Sequence, residues 1–333
     1  MKYLFFIPVL VLLISFACQS DRKMESEDHF LLLDTLIHKA EADLIPLEEE
    51  ISQLAVFSSG LFEKSDSLAA LVNADKFQTD DNGFFYSRNN EDEGSTVFIS
   101  LLAENKKRSV KEVFATELMD VEFREITENR PMVSQVYFNS SSNFSRLYPP
   151  YDLLNSIEPD IDITAFNFFY LADEDRNPNR ESVWVEEVYI DPVGRGWILS
   201  LIHPVYHNNE LKGVLGFDIT LSDLMDSFLD KYDKKLMLID NQGTVVAGKA
   251  AAIEALSLPP LKNHAYIQTI HSDSFRREDF NLFKSKSKEV RRMASKFLLE
   301  KESIHSFEMA GRRFMAYCRK MNIMDWYLLD IHD

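Results

Sequence analysis

The chain has 333 residues, a length that suffices for two compact domains. Hydrophobic residues make up 45% of the sequence and charged residues 27%, which is the balance of a folded protein and excludes a disordered or low-complexity chain. The 54 acidic residues outnumber the 36 basic ones, for a formal net charge of -18, and this excess disfavours binding to nucleic acid or to anionic lipid.

The first segment has the features of an export signal. Lys2 is followed by a short apolar run that ends in small residues before Cys18. The run is shorter than the roughly 20 apolar residues that a membrane-spanning helix needs. Residues 15–18 resemble the lipobox of bacterial lipoproteins, which implies a signal peptide over 1–17, lipidation of Cys18 and a tether over 18–27. The alternative is an uncleaved anchor helix. In either case we expect an exported protein, held at the cell membrane or outer membrane and facing the periplasm or the exterior.

A long amphipathic helix is predicted next. Apolar residues recur at intervals of three and four between acidic ones from about residue 28 to 71, which is typical of a helix with one buried face. They are Phe30, Leu33, Leu36, Ile37, Ala40, Leu44, Leu47, Ile51 and Leu54. Pro46 is a candidate for a kink. We assign residues 28–79 to a stalk dominated by this helix.

Two groups of strands follow the stalk. Strands are predicted at 83–88, 95–100, 132–139, 184–191, 197–205 and 213–219, and then at 236–239, 243–247, 304–308, 313–317 and 326–331. Helices are predicted at 110–128, 221–232 and 288–301. A long helix followed by two antiparallel sheets is an α+β layout with two modules, at 80–228 and 229–333.

Three segments of the first module resemble the double Cache (PDC-type) family of extracytoplasmic sensor domains. They span residues 129–150, 177–191 and 197–219, and it is their order and spacing together that carry the resemblance. The resemblance implies two PAS-like (Cache) modules, a membrane-distal one at 80–228 that binds a ligand and a membrane-proximal one at 229–333. Family members usually continue into a transmitter domain. Since this chain stops at Asp333, we expect a sensor that passes its signal to a membrane kinase, chemoreceptor or transporter.

The same resemblance implies a set of ligand-binding residues. In amino-acid-binding members an Arg holds the ligand carboxylate, and acidic and aromatic residues surround the ammonium. The matching positions here are Arg146 for the carboxylate, Asp191 and Asp218 for the ammonium, and Tyr137, Tyr148 and Tyr189 for the walls. A guanidinium fork suits a planar carboxylate, and aromatic faces attract a cation. The expected ligand is therefore an amino acid or a similar amine or carboxylate.

Each assignment has a structural alternative. Arg146 could pair with a surface carboxylate, Asp191 could start a turn before a proline, and Asp218 could cap the next helix. Trp184 and Trp197 are expected in the core more than in a pocket. Cys318 is the one cysteine besides Cys18, so no internal disulfide is expected.

No catalytic motif supports an enzyme. Residues 243–250 nearly match a phosphate-binding loop, but Ala250 stands where the magnesium-binding hydroxyl is needed. No cofactor or metal is expected. The leading hypothesis is a lipid-anchored ligand-binding sensor, and the alternative is an interaction or structural lipoprotein that keeps the Cache fold without a ligand.

Overall fold

The computed structural model describes residues 7–88, 94–190, 197–220, 229, 231–262 and 276–333, with side chains from residue 26 onwards except that of residue 190. The chain divides into two compact units. The larger unit is Asp43–Ser227, and the smaller unit combines Met1–Ala42 with Phe228–Asp333. Among the described residues, no helix combines the length and apolar character needed to span a membrane.

The predicted long helix is present. Helix α1 spans Ile7–Glu63 and is followed by the short helix α2, Ser65–Ala69. Its inward residues follow the predicted spacing of three and four, so this face is buried. They include Leu33, Leu36, Ile37, Ala40, Leu44, Leu47, Ile51 and Leu54. Pro46 lies within α1 without ending it.

The larger unit is built on one antiparallel sheet of eight described strands. The strands are β1 Phe77–Thr79, β2 Phe85–Ser87, β3 Thr96–Ile99, β4 Gln135–Ser140, β5 Phe144–Tyr148, β6 Val183–Ile190, β7 Trp197–His207 and β8 Glu210–Thr220. Their order is β1-β2-β3-β5-β4-β8-β7-β6. Helices α3, Lys106–Ala115, and α4, Met119–Asn129, contact strands β3, β4 and β5. The segment with helix α5, Asn167–Tyr170, contacts β7 and β8.

The structure differs from the sequence-based expectation at two places in this unit. The helix predicted at 110–128 is broken into α3 and α4, where the Thr116 hydroxyl bonds back to the carbonyls of Glu112 and Val113 at the end of α3. No strand is predicted at 144–148, where the structure has β5. Asn143, with a φ of 61°, supplies the left-handed turn between β4 and β5.

The smaller unit has a five-stranded antiparallel sheet in the described part of the chain. Its strands are β9 Lys235–Ile239, β10 Val245–Gly248, β11 Ile304–Met309, β12 Arg312–Lys320 and β13 Tyr327–His332, in the order β10-β9-β13-β12-β11. Helices α6, Ala250–Ala255, and α7, Lys288–Ala294, accompany it, and a π-helical turn follows α7 at Ser295–Leu299. The helix predicted at 221–232 lies mostly outside the described residues.

The first part of α1 is tied to the end of the chain within the smaller unit. His29 Nδ1 lies 2.6 Å from Asp330 Oδ2, and both side chains are buried. The His29 ring stacks on Tyr317 with 4.2 Å between ring centroids. Glu41 accepts hydrogen bonds from the backbone and side-chain nitrogens of Asn322. The sheet and the helix therefore form one core.

Candidate functional site

A cavity of about 50 Å³ lies in the larger unit, and it is large enough for several water molecules. One side is the sheet and the other is the segment 157–168. The lining residues are Phe98, Gln135, Tyr137, Asn139, Ser145, Leu147, Ile157, Ile161, Ile163, Phe166, Phe168, Tyr189 and Asp218. The cavity is thus polar along the sheet and apolar along the covering segment.

Strand alternation decides which residues face the cavity. On β4, Gln135, Tyr137 and Asn139 line it, because every second residue of a strand points to the same face. The strand register places Gln135 opposite Asp218 and Asn139 opposite Ser145. The Ser145 hydroxyl donates to Asn139 Oδ1 at 2.6 Å. Two polar cross-strand pairs therefore line the cavity, one between β4 and β5 and one between β4 and β8.

A hydrogen-bonded cluster surrounds Asp218, which is 3% exposed. Its Oδ1 accepts from the Ser200 hydroxyl at 2.5 Å and from the Tyr189 hydroxyl at 3.3 Å. The Tyr189 and Ser200 hydroxyls lie 2.6 Å apart. Burial raises the pKa of Tyr189 well above its ordinary value, and the charge of Asp218 raises it further. Tyr189 therefore stays a neutral hydroxyl beside a carboxylate.

Gln135 brings an unsatisfied donor to the cavity. The side chain is 2% exposed, and its Nε2 has no hydrogen-bond partner among the described residues. A buried donor without a partner costs roughly 1–3 kcal/mol. Since Gln135 lines the cavity, an acceptor on a bound molecule would satisfy this nitrogen.

Aromatic rings form one wall of the cavity. The Tyr137 ring meets Phe168 edge-on at 5.9 Å between centroids, and Phe168 lies 5.5 Å from Tyr189. Phe166 stacks on Phe168 at 5.0 Å. The Tyr137 ring lies directly over Gly216, since a Cβ at that position would come within 1.9 Å of Tyr137 Cζ. Glycine at 216 is therefore what lets the ring occupy this place.

Arg146 does not reach the cavity, contrary to the sequence-based expectation. It is 1% exposed, and its Nη1 lies 2.5 Å from Asp120 Oδ1 while Nη2 donates to the Val113 carbonyl at 2.8 Å. Its neighbours Ser145 and Leu147 line the cavity, so Arg146 points to the opposite face, towards α3 and α4. Tyr148 lies two residues after Arg146 on β5 and therefore points to the same face of the sheet. It too does not line the cavity.

The other predicted positions have different outcomes. The structure brings Tyr137, Tyr189 and Asp218 together at the cavity. Asp191 lies outside the described residues, as does the side chain of Cys18. Trp184 and Trp197 are buried away from the lining, and Trp184 Nε1 donates to Glu48 in α1 at 2.7 Å.

Sequence reasoning missed several residues of the site. Gln135 and Asn139 alternate with apolar residues in the predicted strand, and that polar alternation was the available signal. Ser200 is a polar residue within an apolar run. Phe166 and Phe168 lie in a segment without a periodic pattern, so no signal marked them. Within the described side chains, no group of His, Cys, Asp and Glu is arranged to hold a metal ion.

Comparisons with known proteins bear on the fold. Residues 173–237 match the model of the Gammaproteobacterial periplasmic sensor domain, GAPES1. A search of curated proteins gave no match. The ligand-binding domain of the Pseudomonas aeruginosa PAO1 amino acid chemoreceptor PctB, in complex with L-Gln, is 12% identical, with a TM-score of 0.50 over 91% of this chain and 89% of that chain.

Two further solved structures are similar at lower scores. The sensory domain of the Campylobacter jejuni chemoreceptor Tlp3 with isoleucine bound is 10% identical, with a TM-score of 0.43 over 91% of this chain and 95% of that chain. The ligand-binding domain of the Pseudomonas fluorescens chemoreceptor CtaA with L-alanine is 14% identical, with a TM-score of 0.41 over 61% of this chain and 73% of that chain.

These findings bear out the predicted fold. The α+β fold, with a long first helix and two antiparallel sheets, is confirmed, and it is similar to the Cache-like fold of the PctB ligand-binding domain. Residues 173–237 also match a periplasmic sensor model, and the fold resembles that of the ligand-binding domain of the amino acid chemoreceptor PctB.

Proposed function

We propose that this chain is an exported sensor that binds a small polar metabolite, an amino acid or a similar amine or carboxylate, in the cavity of the larger unit. The observation that carries the proposal is the set of buried polar groups at that cavity. A carboxylate, two tyrosine side chains and an amide donor without a partner among the described residues line the same cavity. A few convergent polar groups in an otherwise apolar pocket are typical of a small-molecule site.

Within this proposal, Asp218 binds the ligand's ammonium group. Ser200 and Tyr189 hold its carboxylate in place by hydrogen bonds to Oδ1. The rings of Tyr137 and Tyr189 wall the site and add a cation–π attraction of roughly 0.5–2 kcal/mol each. Asp191 stays a proposed contact, whereas Arg146 and Tyr148 are not retained, because neither lines the cavity.

The proposal also includes a lipid anchor. A signal peptide over 1–17 would be removed and Cys18 would carry the lipid, so that residues 28–79, 80–228 and 229–333 serve as stalk, distal module and proximal module. A membrane kinase, chemoreceptor or transporter would receive the signal. Mass spectrometry of the protein from native membranes tests the anchor, since a Cys18→Ser variant should lose both the lipid mass and the membrane fraction.

Thermal unfolding with a panel of amino acids, amines and short carboxylates tests ligand binding. A ligand at 100 times its dissociation constant adds about 2.7 kcal/mol to the stability of the folded state. For a unit of this size, that stabilisation corresponds to a rise of roughly 5–10 °C in Tm. Asp218→Asn should abolish the rise. Glu112→Gln is the matched control, because Glu112 is a buried acid held by Ser142 and Arg108 and does not line the cavity.

The alternative proposal is an interaction lipoprotein that keeps the fold without a ligand. It predicts that no compound of the panel raises Tm, and that Asp218→Asn changes stability without changing any ligand response. The two proposals therefore predict different results for one measurement, the change in Tm with the compound panel.

A further inference from the structure

We infer that the cavity selects amines and neutral α-amino amides over amino acids with a free carboxylate, and that Gln135 is the residue that determines this specificity. The inference rests on the proposed function and names the chemical class of its ligand. Three features of the larger unit carry it: the charges along the cavity, the unsatisfied donor on Gln135 and the placement of Arg146.

The described residues that line the cavity favour a cation. Among them, Asp218 is the one Asp or Glu, and no Lys, Arg or His belongs to that described lining. An ammonium group would meet a carboxylate and the faces of aromatic rings. A ligand carboxylate would lose its hydration without a cation in exchange, and the like charge of Asp218 would repel it.

Gln135 suits a neutral oxygen. Its Nε2 is a buried donor that has no partner in the described part of the chain, so an amide or carbonyl oxygen of the ligand can accept from it without bringing a second charge into the cavity. Gln135 lies directly opposite Asp218 in the register of β4 and β8, and such side chains start about 4.5–5.5 Å apart. A molecule whose ammonium and carbonyl groups are on adjacent carbons can therefore reach both.

Arg146, the residue that the family resemblance assigns to a ligand carboxylate, is committed elsewhere. The Arg146 guanidinium lies on the opposite face of the sheet and is held by Asp120 and by the Val113 carbonyl. Bringing it to the cavity would require β5 to shift by one residue against both of its neighbours. The apolar covering segment, with Ile157, Ile161 and Ile163, suits a branched aliphatic group on the ligand.

Titration calorimetry with three matched compounds tests the inference. They are L-valine, L-valinamide and isobutylamine, compared in slightly acidic buffer where all three amino groups are protonated. We expect valinamide to bind most tightly and valine to bind at least about tenfold more weakly than isobutylamine, since a buried charge without a partner costs several times a neutral hydrogen bond. Valine binding as tightly as valinamide would overturn the inference and leave the proposed function standing. Failure of every compound, including the wider panel, would overturn both.

Two variants test the role of Gln135 itself. Gln135→Leu removes the donor and keeps a side chain of similar size. It should lower the affinity for valinamide about tenfold and leave the affinity for isobutylamine unchanged, because only the amide accepts from Nε2. An equal loss for both compounds would overturn the assignment. Gln135→Met, which also lacks the donor, should give the same selective loss and guards against a folding defect of the first variant. Glu112→Gln should leave the affinities of all three compounds unchanged.

Discussion

Replacing Arg146 by Met separates a structural role from a ligand-binding one. The Arg146 side chain is 1% exposed and is fixed by Asp120 at 2.5 Å and by the Val113 carbonyl at 2.8 Å. Removing one partner of a buried ion pair costs roughly 3–5 kcal/mol. The Asp120 side chain is 16% exposed, so water can partly replace the lost guanidinium as a hydrogen-bond partner. We therefore expect the larger unit to lose about 3 kcal/mol of its free energy of unfolding. Met fills much of the space of the arginine stem. The substitution therefore leaves little empty volume, and the destabilisation from a packing void is small.

Urea unfolding followed by tryptophan fluorescence in a Trp326→Phe background, which leaves Trp184 and Trp197 of the larger unit, measures the loss. Titration calorimetry with a ligand from the panel should show unchanged affinity. Asp120→Asn should destabilise the unit as well, and the double variant should lose less than the sum of the two single losses, because the residues act as one pair. A stability loss below about 1 kcal/mol, or a collapse of ligand affinity in a stable variant, would refute the placement of Arg146 away from the ligand.

Three further outcomes follow from the structure. Gly216→Ala should abolish ligand binding in calorimetry and cost about 1–3 kcal/mol in urea unfolding, because the added methyl group would displace the Tyr137 ring that it would approach to 1.9 Å. Burial lowers the pKa of His203 below its ordinary 6.5, and the hydrogen bond to the Pro204 carbonyl offsets this only in part. Its contribution to stability is present above that ordinary pKa and is lost as pH falls through the lowered value, so His203→Gln should flatten the decline in Tm below about pH 6.5. Burial raises the pKa of Cys318 to about 12, so peptide mass spectrometry should find this thiol unmodified by iodoacetamide until the protein is unfolded.

For each of these predictions, a specific result would contradict it. Ligand affinity that survives Gly216→Ala would mean that the ring position is irrelevant to binding. An acid-side slope in Tm that persists in His203→Gln would assign the slope to other groups. Rapid alkylation of Cys318 in native buffer would show that the thiol is accessible.

Sequence patterns predicted the strands with regular alternation. They did not predict, for every strand, which residues face which side of the sheet. Strands β7 and β8 were predicted nearly to their ends because apolar residues fill them. Strand β5 was missed because the serines before it are typical of a loop. Without that strand, no sequence pattern indicates the face on which Arg146 lies, and a shift of one residue moves a side chain from one face of a sheet to the other.

The candidate site was predicted only where the family resemblance reached it. Tyr137, Tyr189 and Asp218 follow from that resemblance and do line the cavity. Gln135 could not be singled out, because a lone amide in an apolar strand can also bond within the protein or face water. Its missing partner is a property of three-dimensional packing that no local pattern records.

The smaller unit is discontinuous in sequence, and this has a consequence for how the protein forms. Its first part ends at Ala42 and its second begins at Phe228, so the 43–227 segment is an insertion that can complete its sheet while synthesis continues. His29 and Asp330 are separated by 301 positions. Bringing them together closes a long loop, and the loss of chain entropy opposes their pairing. A nascent chain released before β13 would thus carry a folded larger unit on a smaller unit that has yet to assemble.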